Sequence, residues 1–460
     1  MVDTHVEQYL HLVDVTHEAV LLAWGAFWFE RRNGRWAIVD DSRLGGVAGR
    51  RTCIGASAEP FGTTTVRVLD AAGRVVAEEK PEGYAATWVR GLQPDTEYRY
   101  RVEVDGAEWA TGELWDIAPV PEGGLDMRPS GRSYDTRFRT VPAPDGPSPA
   151  VAFAVLGDFG VGVASDAESS RRQQRVADAL EMTAATRDVR FLLTTGDNVY
   201  IGEQGRVDDE SGGEDDDWFS SYFQPYRYLL ARLPVYPTMG NHDGAETEGS
   251  DDRAQTIDNL HLESRFTSGN DASFEPGLFY RVRHGADIEL ISIDTSHSDD
   301  RPKSRYYQDE GHFAWIDKAF AEPGPRWRVP FCHHPPYCAG PEHYDDAELV
   351  RDLVPRYQRG GVRVVLAGHE HNFQVNEVDG LTYFVSGAGG KLRDHPPDKF
   401  DEAGTTAWAM QGHFLLVEID GEEMRVTPIS GPDGVDGDVR LMSALTPENK
   451  LVLPPIVLRV

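Results

Sequence analysis

Leu156-Gly157-Asp158-Phe159-Gly160 closes the apolar run Val151–Leu156 and is the first of five segments built to one plan. The others are Gly196-Asp197-Asn198-Val199-Tyr200, Gly240-Asn241-His242-Asp243, Cys332-His333-His334 and Gly368-His369-Glu370-His371. Each follows a β-like stretch, and each ends in side chains that can ligate a metal or move a proton. One Gly-Asp pair would carry little weight. Five such segments in this order, all at strand ends, read as one site. Strands alternating with helical stretches, with the chemistry at the strand C-termini, predict an α/β layered sheet whose site lies in the crevice there.

Around these segments the sequence predicts a helix from Ser169 to about Ala185. Strands are expected at Val189–Leu193, Ile288–Ile293, Trp327–Phe331, Arg363–Leu366, Leu381–Val385 and Phe414–Ile419, with a short apolar stretch at Leu233–Tyr236. Upstream, residues 141–150 are rich in proline and small residues and read as a linker. The first 140 residues show no helical period. In Leu92–Val102, Tyr98, Tyr100 and Val102 fall on alternate positions and line one face of a strand. That stretch looks like the tyrosine-corner segment of a fibronectin type III-like sandwich, with Trp24 as its core tryptophan. The expected organisation is therefore an all-β sandwich (1–140), a linker (141–150), an α/β catalytic domain (151–430) and a β-rich extension (431–460).

The five segments resemble the dinuclear-metal signature of the calcineurin-like metallophosphoesterases, and within them the purple acid phosphatases. The resemblance covers residues from about 150 to about 430. It implies that one metal takes Asp158, Asp197, Tyr200 and His371, and the second takes Asp197, Asn241, His333 and His369. Asp197 is the natural bridge because a carboxylate has two oxygens. Oxygen and imidazole donors suit iron, manganese or zinc, with positions open for a hydroxide and a phosphate. Many metallophosphoesterases carry a ligating histidine two residues after the first aspartate; here that position is Gly160. Tyr200 stands where purple acid phosphatases place a tyrosinate, which implies Fe(III) in site one with Fe(II), Zn(II) or Mn(II) in site two. Tyr200 as a packed aromatic, with manganese or zinc bound instead, is the alternative.

The resemblance also assigns residues that are not ligands. His242 is expected to face the substrate as acid or electrostatic stabiliser of the leaving oxygen. His343 falls where plant-type relatives carry a substrate-facing histidine pair, with Glu342 replacing the other member. Lys391 and Arg393, on the glycine-rich stretch after Leu381–Val385, are candidate contacts for a second phosphate or an anionic tail; a tight turn with solvated charges is the bland alternative. Gly157–Gly162 does not have the spacing of a dinucleotide loop. Cys332 and Cys338 are expected to be packing residues.

The net charge of −31 argues against a nucleic-acid coat or an anionic membrane as partner, because binding phosphates non-specifically needs basic surface. A small phosphorylated substrate is the expected partner, and oligomeric state is open. Three cysteines and an N-terminus without a basic and apolar leader predict a cytoplasmic protein. The acidic run Asp208–Asp217 reads as a solvated loop rather than a lid or calcium loop. The expected reaction is hydrolysis of phosphate monoesters by in-line attack of a metal-bound hydroxide. A phosphodiesterase or nucleotide pyrophosphatase on the same centre is the alternative, and a non-catalytic scaffold the remote one.

Overall fold

The computed structural model describes residues 3–39, 54–56, 58, 61–119, 124–162, 168–200, 218–243, 252–265, 275, 277–298, 301–431 and 440–460. Cys53 and the acidic run Asp208–Asp217 lie outside them.

Two antiparallel sheets form the N-terminal region. One runs in the order Thr4–Val15, Ala19–Arg32, Arg35–Ile38, Leu125–Pro129, Trp115–Pro119, with Ala86–Arg90 also paired to Ala19–Arg32. The other runs Arg137–Arg139, Glu97–Val104, Thr64–Leu69, Val75–Glu79. Along Glu97–Val104 the buried residues are Tyr98, Tyr100, Val102 and Val104, the alternation read from the sequence. Trp24 lies in the same core. The Tyr98 hydroxyl accepts a 3.0 Å hydrogen bond from the backbone N–H of Gln93, the corner contact expected of that tyrosine.

The strand Thr4–Val15 escapes a periodicity reading. From Tyr9 to Val15 every residue is buried, so its two faces do not alternate in polarity. Leu10 and Leu12 face the sandwich core, whereas Tyr9 packs against Phe219 and His11 against Tyr222. The strand is thus covered on both sides, by its own sandwich and by the domain that follows. Arg227 crosses this seam: it donates to Glu7 at 2.7 Å, to the Tyr134 hydroxyl at 2.6 Å and to the Trp115 carbonyl at 3.0 Å. Residues 142–150 then pass from one region to the next without helix or strand.

The second region stacks two sheets. A seven-stranded sheet places Val151–Leu156 between Val189–Thr194 (parallel) and His413–Asp420 (antiparallel). A nine-stranded sheet contains the parallel set Ile288–Ser292, Trp327–Phe331, Val364–Ala367, Leu381–Ser386. Phe153, Val155, Val329, Phe331, Leu366 and Phe384 fill the space between the sheets. Neighbours along each strand turn to the outer faces, where Val176 and Leu180 of helix Glu168–Thr186 and Ile316 of helix Glu310–Ala319 cover them. The result is an α/β/β/α layering. The C-terminal strands complete both sheets: Ile456–Arg459 pairs with Glu423–Ser430, and Ala444–Leu445 with Thr405–Ala409. No described helix is long and apolar enough to cross a membrane.

This layering positions the site. The parallel strands of both sheets end on the same side, so the loops after Leu156, Thr194, Phe331, Ala367 and Ser386 converge over one end of the inter-sheet core.

Candidate metal centre

The loops after the strands pack backbone against backbone. A Cβ on Gly240 would lie 2.1 Å from an Asp197 carboxylate oxygen, and one on Gly368 would lie 2.5 Å from Asp158 Oδ2. Only glycine permits loops at such separations, which explains the glycine before Asn241 and before His369. Three donors are themselves held in the left-handed region: Asp158 at φ 54°, Asp197 at φ 50° and His369 at φ 71°. That conformation costs a residue with a side chain roughly 1–3 kcal/mol and clusters at functional sites.

Asp158, Asp197 and His371 form one group, a carboxylate oxygen of each aspartate and a ring nitrogen of His371 lying within 4.8 Å of one another. Tyr200 joins it, its hydroxyl donating to Asp158 Oδ1 at 3.3 Å and lying 3.2 Å from His371 Nε2. Beside this group, His333 Nε2 lies 2.9 Å from Asn241 Oδ1, 3.4 Å from Asp197 Oδ2 and 3.1 Å from His369 Nδ1. The seven predicted donors therefore converge on two adjoining points with Asp197 between them.

His334 shows why proximity alone does not make a ligand. Its ring nitrogens are also near His333 and His369. However, Arg305 Nη1 lies 2.9 Å from His334 Nε2 and Thr295 Oγ1 lies 3.0 Å from Nδ1. A guanidinium only donates, so Nε2 must accept and Nδ1 carries the proton. Both nitrogens are engaged. His333 differs: its Nδ1 donates to the Thr195 carbonyl at 2.7 Å, which turns Nε2 toward the centre.

The electrostatics fit a metal pair. Asp158 and Asp197 are buried, at 0% and 1% exposure. Burial pushes the Asp158 carboxyl up to about 8. Burial works the same way on Asp197, but the charges of His333 and His242 outweigh it and hold that carboxyl well below the usual range. Burial alone would depress His333, yet the Asp197 carboxylate raises it to about 9. The pair is short of positive charge unless His333 carries a proton, and a cation shared between them would supply that charge and would leave His333 a neutral imidazole able to ligate. Burial, followed by the charges of Asp158 and Asp197, pushes the Tyr200 phenol well above 10. Only a strong cation at its oxygen would make it a phenolate.

Around the mouth, His242 donates its backbone N–H to Asp197 Oδ1 at 3.0 Å, and its ring centroid lies 4.4 Å from that of Tyr200. Lys391 Nζ sits 4.5 Å from the Tyr200 ring centroid, and burial brings its pKa down to about 8. His343 stacks on His369 with centroids 3.8 Å apart. Arg393 lies on the same loop as Lys391, but its Nε is committed to Glu370 Oε1 at 2.6 Å. Cys332 and Cys338 are fully buried, and burial pushes the Cys332 thiol up to about 12, away from thiolate chemistry.

Three carboxylates with structural consequence went unassigned in the sequence reading. Asp243 accepts from the backbone N–H groups of Asn198, Val199 and Gly240 and from Asn198 Nδ2, at 2.8–3.1 Å, stapling two ligand loops together. Glu370 takes the Arg393 guanidinium on Oε1 and the backbone N–H groups of Glu342 and His343 on Oε2, which fixes the loop carrying His343. Asp346 touches both His343 and His369. Asp243 and Glu370 lie inside the quoted motifs and were within reach; Asp346 offered only its spacing of three from His343.

Residues 151–373 match the family described as Calcineurin-like phosphoesterase. Tartrate-resistant acid phosphatase type 5 of Sus scrofa is 25% identical over 340 residues, spanning 69% of this chain and 92% of that protein. Purple acid phosphatase 17 of Arabidopsis thaliana is 24% identical over 261 residues, spanning 52% of this chain and 69% of that protein. Among solved structures, PhoD superposes with a TM-score of 0.63 at 13% identity, covering 95% of this chain and 89% of its own. Purple acid phosphatase PPD1 from yellow lupin (Lupinus luteus) seeds gives 0.56 at 14% identity, covering 94% and 74%. The two structures share the fold.

Proposed function

We propose that this chain, a metal-dependent phosphoester hydrolase of the calcineurin-like type over residues 151–373, hydrolyses phosphate monoesters at a dinuclear centre. The observation that carries the proposal is the convergence of two buried carboxylates, a buried phenol, an amide oxygen and three imidazoles beneath a mouth formed by His242, His343 and Lys391. When bound, a metal pair supplies Lewis acidity to the phosphoryl oxygens and an activated water. Asp158, Asp197, Tyr200 and His371 would hold one ion; Asp197, Asn241, His333 and His369 would hold the other. Tyr200 favours Fe(III) in the first position, because its environment resists ionisation by anything weaker, and Fe(II), Zn(II) or Mn(II) suits the second.

The chain's own groups do the rest. Lys391 at the mouth suits the two charges of a terminal phosphate better than the single charge of a diester. His242 is tied to Asp197 through its backbone and its ring stands beside Tyr200 at the mouth, where it would donate a proton to the leaving oxygen as the P–O bond breaks. Buried free thiols at Cys332 and Cys338 suit the cytoplasmic residence read from the cysteine count. The proposal also keeps the division at residues 141–150 and the fibronectin type III-like character of the first region, on the strength of the Tyr98 corner.

The test is elemental analysis of the purified protein followed by kcat/KM on a nitrophenyl phosphate, the matching bis-ester and a nucleoside diphosphate ester. Two metals per chain and a preference of tenfold or more for the monoester are expected. A tenfold preference for the diester or the pyrophosphate would transfer the assignment to that class, and metal-replete protein inactive on all three would point to the scaffold.

A further inference from the structure

Asp346 lies outside the ligand set and yet touches it. It sits in the 3-10 segment Asp345–Leu353, and its Oδ2 lies 2.9 Å from His343 Nδ1 and 3.1 Å from His369 Nε2. A carboxylate oxygen only accepts, so each imidazole must carry its proton on the nitrogen that faces Asp346. For His369 this leaves the Nδ1 lone pair, which lies 3.1 Å from His333 Nε2, at the point where the second metal would sit. For His343 it leaves Nε2 as the nitrogen able to meet substrate. The stack of the two rings, inclined by 29°, and the 2.8 Å hydrogen bond from the His343 backbone to Glu370 hold His343 in register for this sharing.

We propose that Asp346 is a positioning residue whose single oxygen Oδ2 fixes the tautomer and orientation of both a metal ligand, His369, and a substrate-facing histidine, His343. The inference rests on the roles given to those histidines above. It couples occupancy of the second metal position to placement of His343, because one carboxylate cannot rotate away from either ring without releasing the other. The same three atoms could be taken for a third cation site, since they lie within 4.8 Å of one another. A cation there would strip the Nε2 proton whose presence leaves Nδ1 of His369 to ligate, so the same atoms cannot serve both roles.

The experiment uses the full chain with Asp346→Asn and Asp346→Glu. Metal-free protein is reloaded with Zn(II) against a competing chelator, and histidine tautomers are read from long-range ¹⁵N–¹H spectra. In Asp346→Asn one equivalent should lose roughly 10–100-fold in affinity, the usual effect of removing a partner behind a ligand, while the other is unchanged. The rate on an alkyl phosphate should fall by more than the rate on a nitrophenyl phosphate. That selectivity should be absent when Asp346→Asn is added to His343→Ala, since the partner it acts through is gone. Asp346→Glu should restore part of both losses. Unchanged zinc affinity with unchanged tautomers would overturn the proposal. So would three equivalents of zinc in the parent and two in Asp346→Asn, which would make the carboxylate a ligand. A parent that turns over no monoester would sink the functional assignment, while the affinity and tautomer measurements would still decide the role of Asp346.

Discussion

Replacing Gly160 by alanine tests the packing that brings the ligand loops together. A Cβ at this position would lie 1.9 Å from the Asn198 carbonyl oxygen and 2.6 Å from Val199 Cα. To reach about 3.0 Å, the lower edge of tolerated contacts, that carbonyl must retreat by about 1.1 Å, at an overpacking cost on the order of 1–3 kcal/mol. Asn198 directly follows Asp197, the proposed bridge, and Tyr200 donates its backbone N–H to the Gly160 carbonyl at 2.9 Å, so the strain falls on two proposed ligands at once. Metal sites tolerate errors of about 0.2 Å in ligand distance. A misplacement of about 1 Å typically lowers turnover by about 10²-fold. Gly160→Ala should therefore fold, by far-ultraviolet circular dichroism, yet lose metal in elemental analysis and about two orders of magnitude in kcat. Gly311→Ala serves as the control, because a Cβ there meets nothing within 4 Å. Two metals and parental turnover in Gly160→Ala would refute the reasoning. The same clash bars the histidine that many metallophosphoesterases carry at this position.

Asp197→Ala should lose both metals, whereas Asn241→Ala should deplete mainly one; elemental analysis separates these outcomes, and a full complement in Asp197→Ala would exclude the bridge. If Tyr200 binds Fe(III), the oxidised protein should show a broad visible band that Tyr200→Phe abolishes, and a colourless ferric protein would contradict the tyrosinate. His242→Ala should keep its metals but lose roughly 10²–10⁴ in rate on alkyl phosphates and far less on a nitrophenyl phosphate; equal losses on both substrates would remove it as the acid. At the domain seam, breaking the Glu7–Arg227 pair, whose side chains are each 2% exposed, with Arg227→Ala should cost about 3–5 kcal/mol in denaturant unfolding. Burial alone would raise the pKa of Glu7, but His5 and Arg227 outweigh it and leave it lowered. Its contribution is therefore complete above the unfolded value of about 4.3 and disappears as pH falls through the lower folded value. Glu7→Gln should flatten that acid limb, and an unaltered limb would exclude the pair as its source.

The loops that carry the candidate donors are legible in the sequence, because a strand ending in Gly-Asp, Gly-Asn or Gly-His writes the chemistry, the turn and the close approach into adjacent residues. The sequence also determined the faces of strands that alternate, such as Glu97–Val104, where period two records one buried and one solvated side. Thr4–Val15 shows where this stops: both faces are covered, by regions distant in the chain, so no period survives to be read. The family resemblance selects His333 over its neighbour His334, but only the fold supplies the contacts that separate them: the Arg305 guanidinium occupies His334, and the Thr195 carbonyl turns His333 inward. Asp346 is one acid among several in an exposed-looking run until the fold sets it against two imidazoles 23 and 3 residues away. Local pattern fixes what a residue can do. Contacts made across the chain fix which nitrogen carries the proton, which carboxylate is buried, and which loop must be glycine.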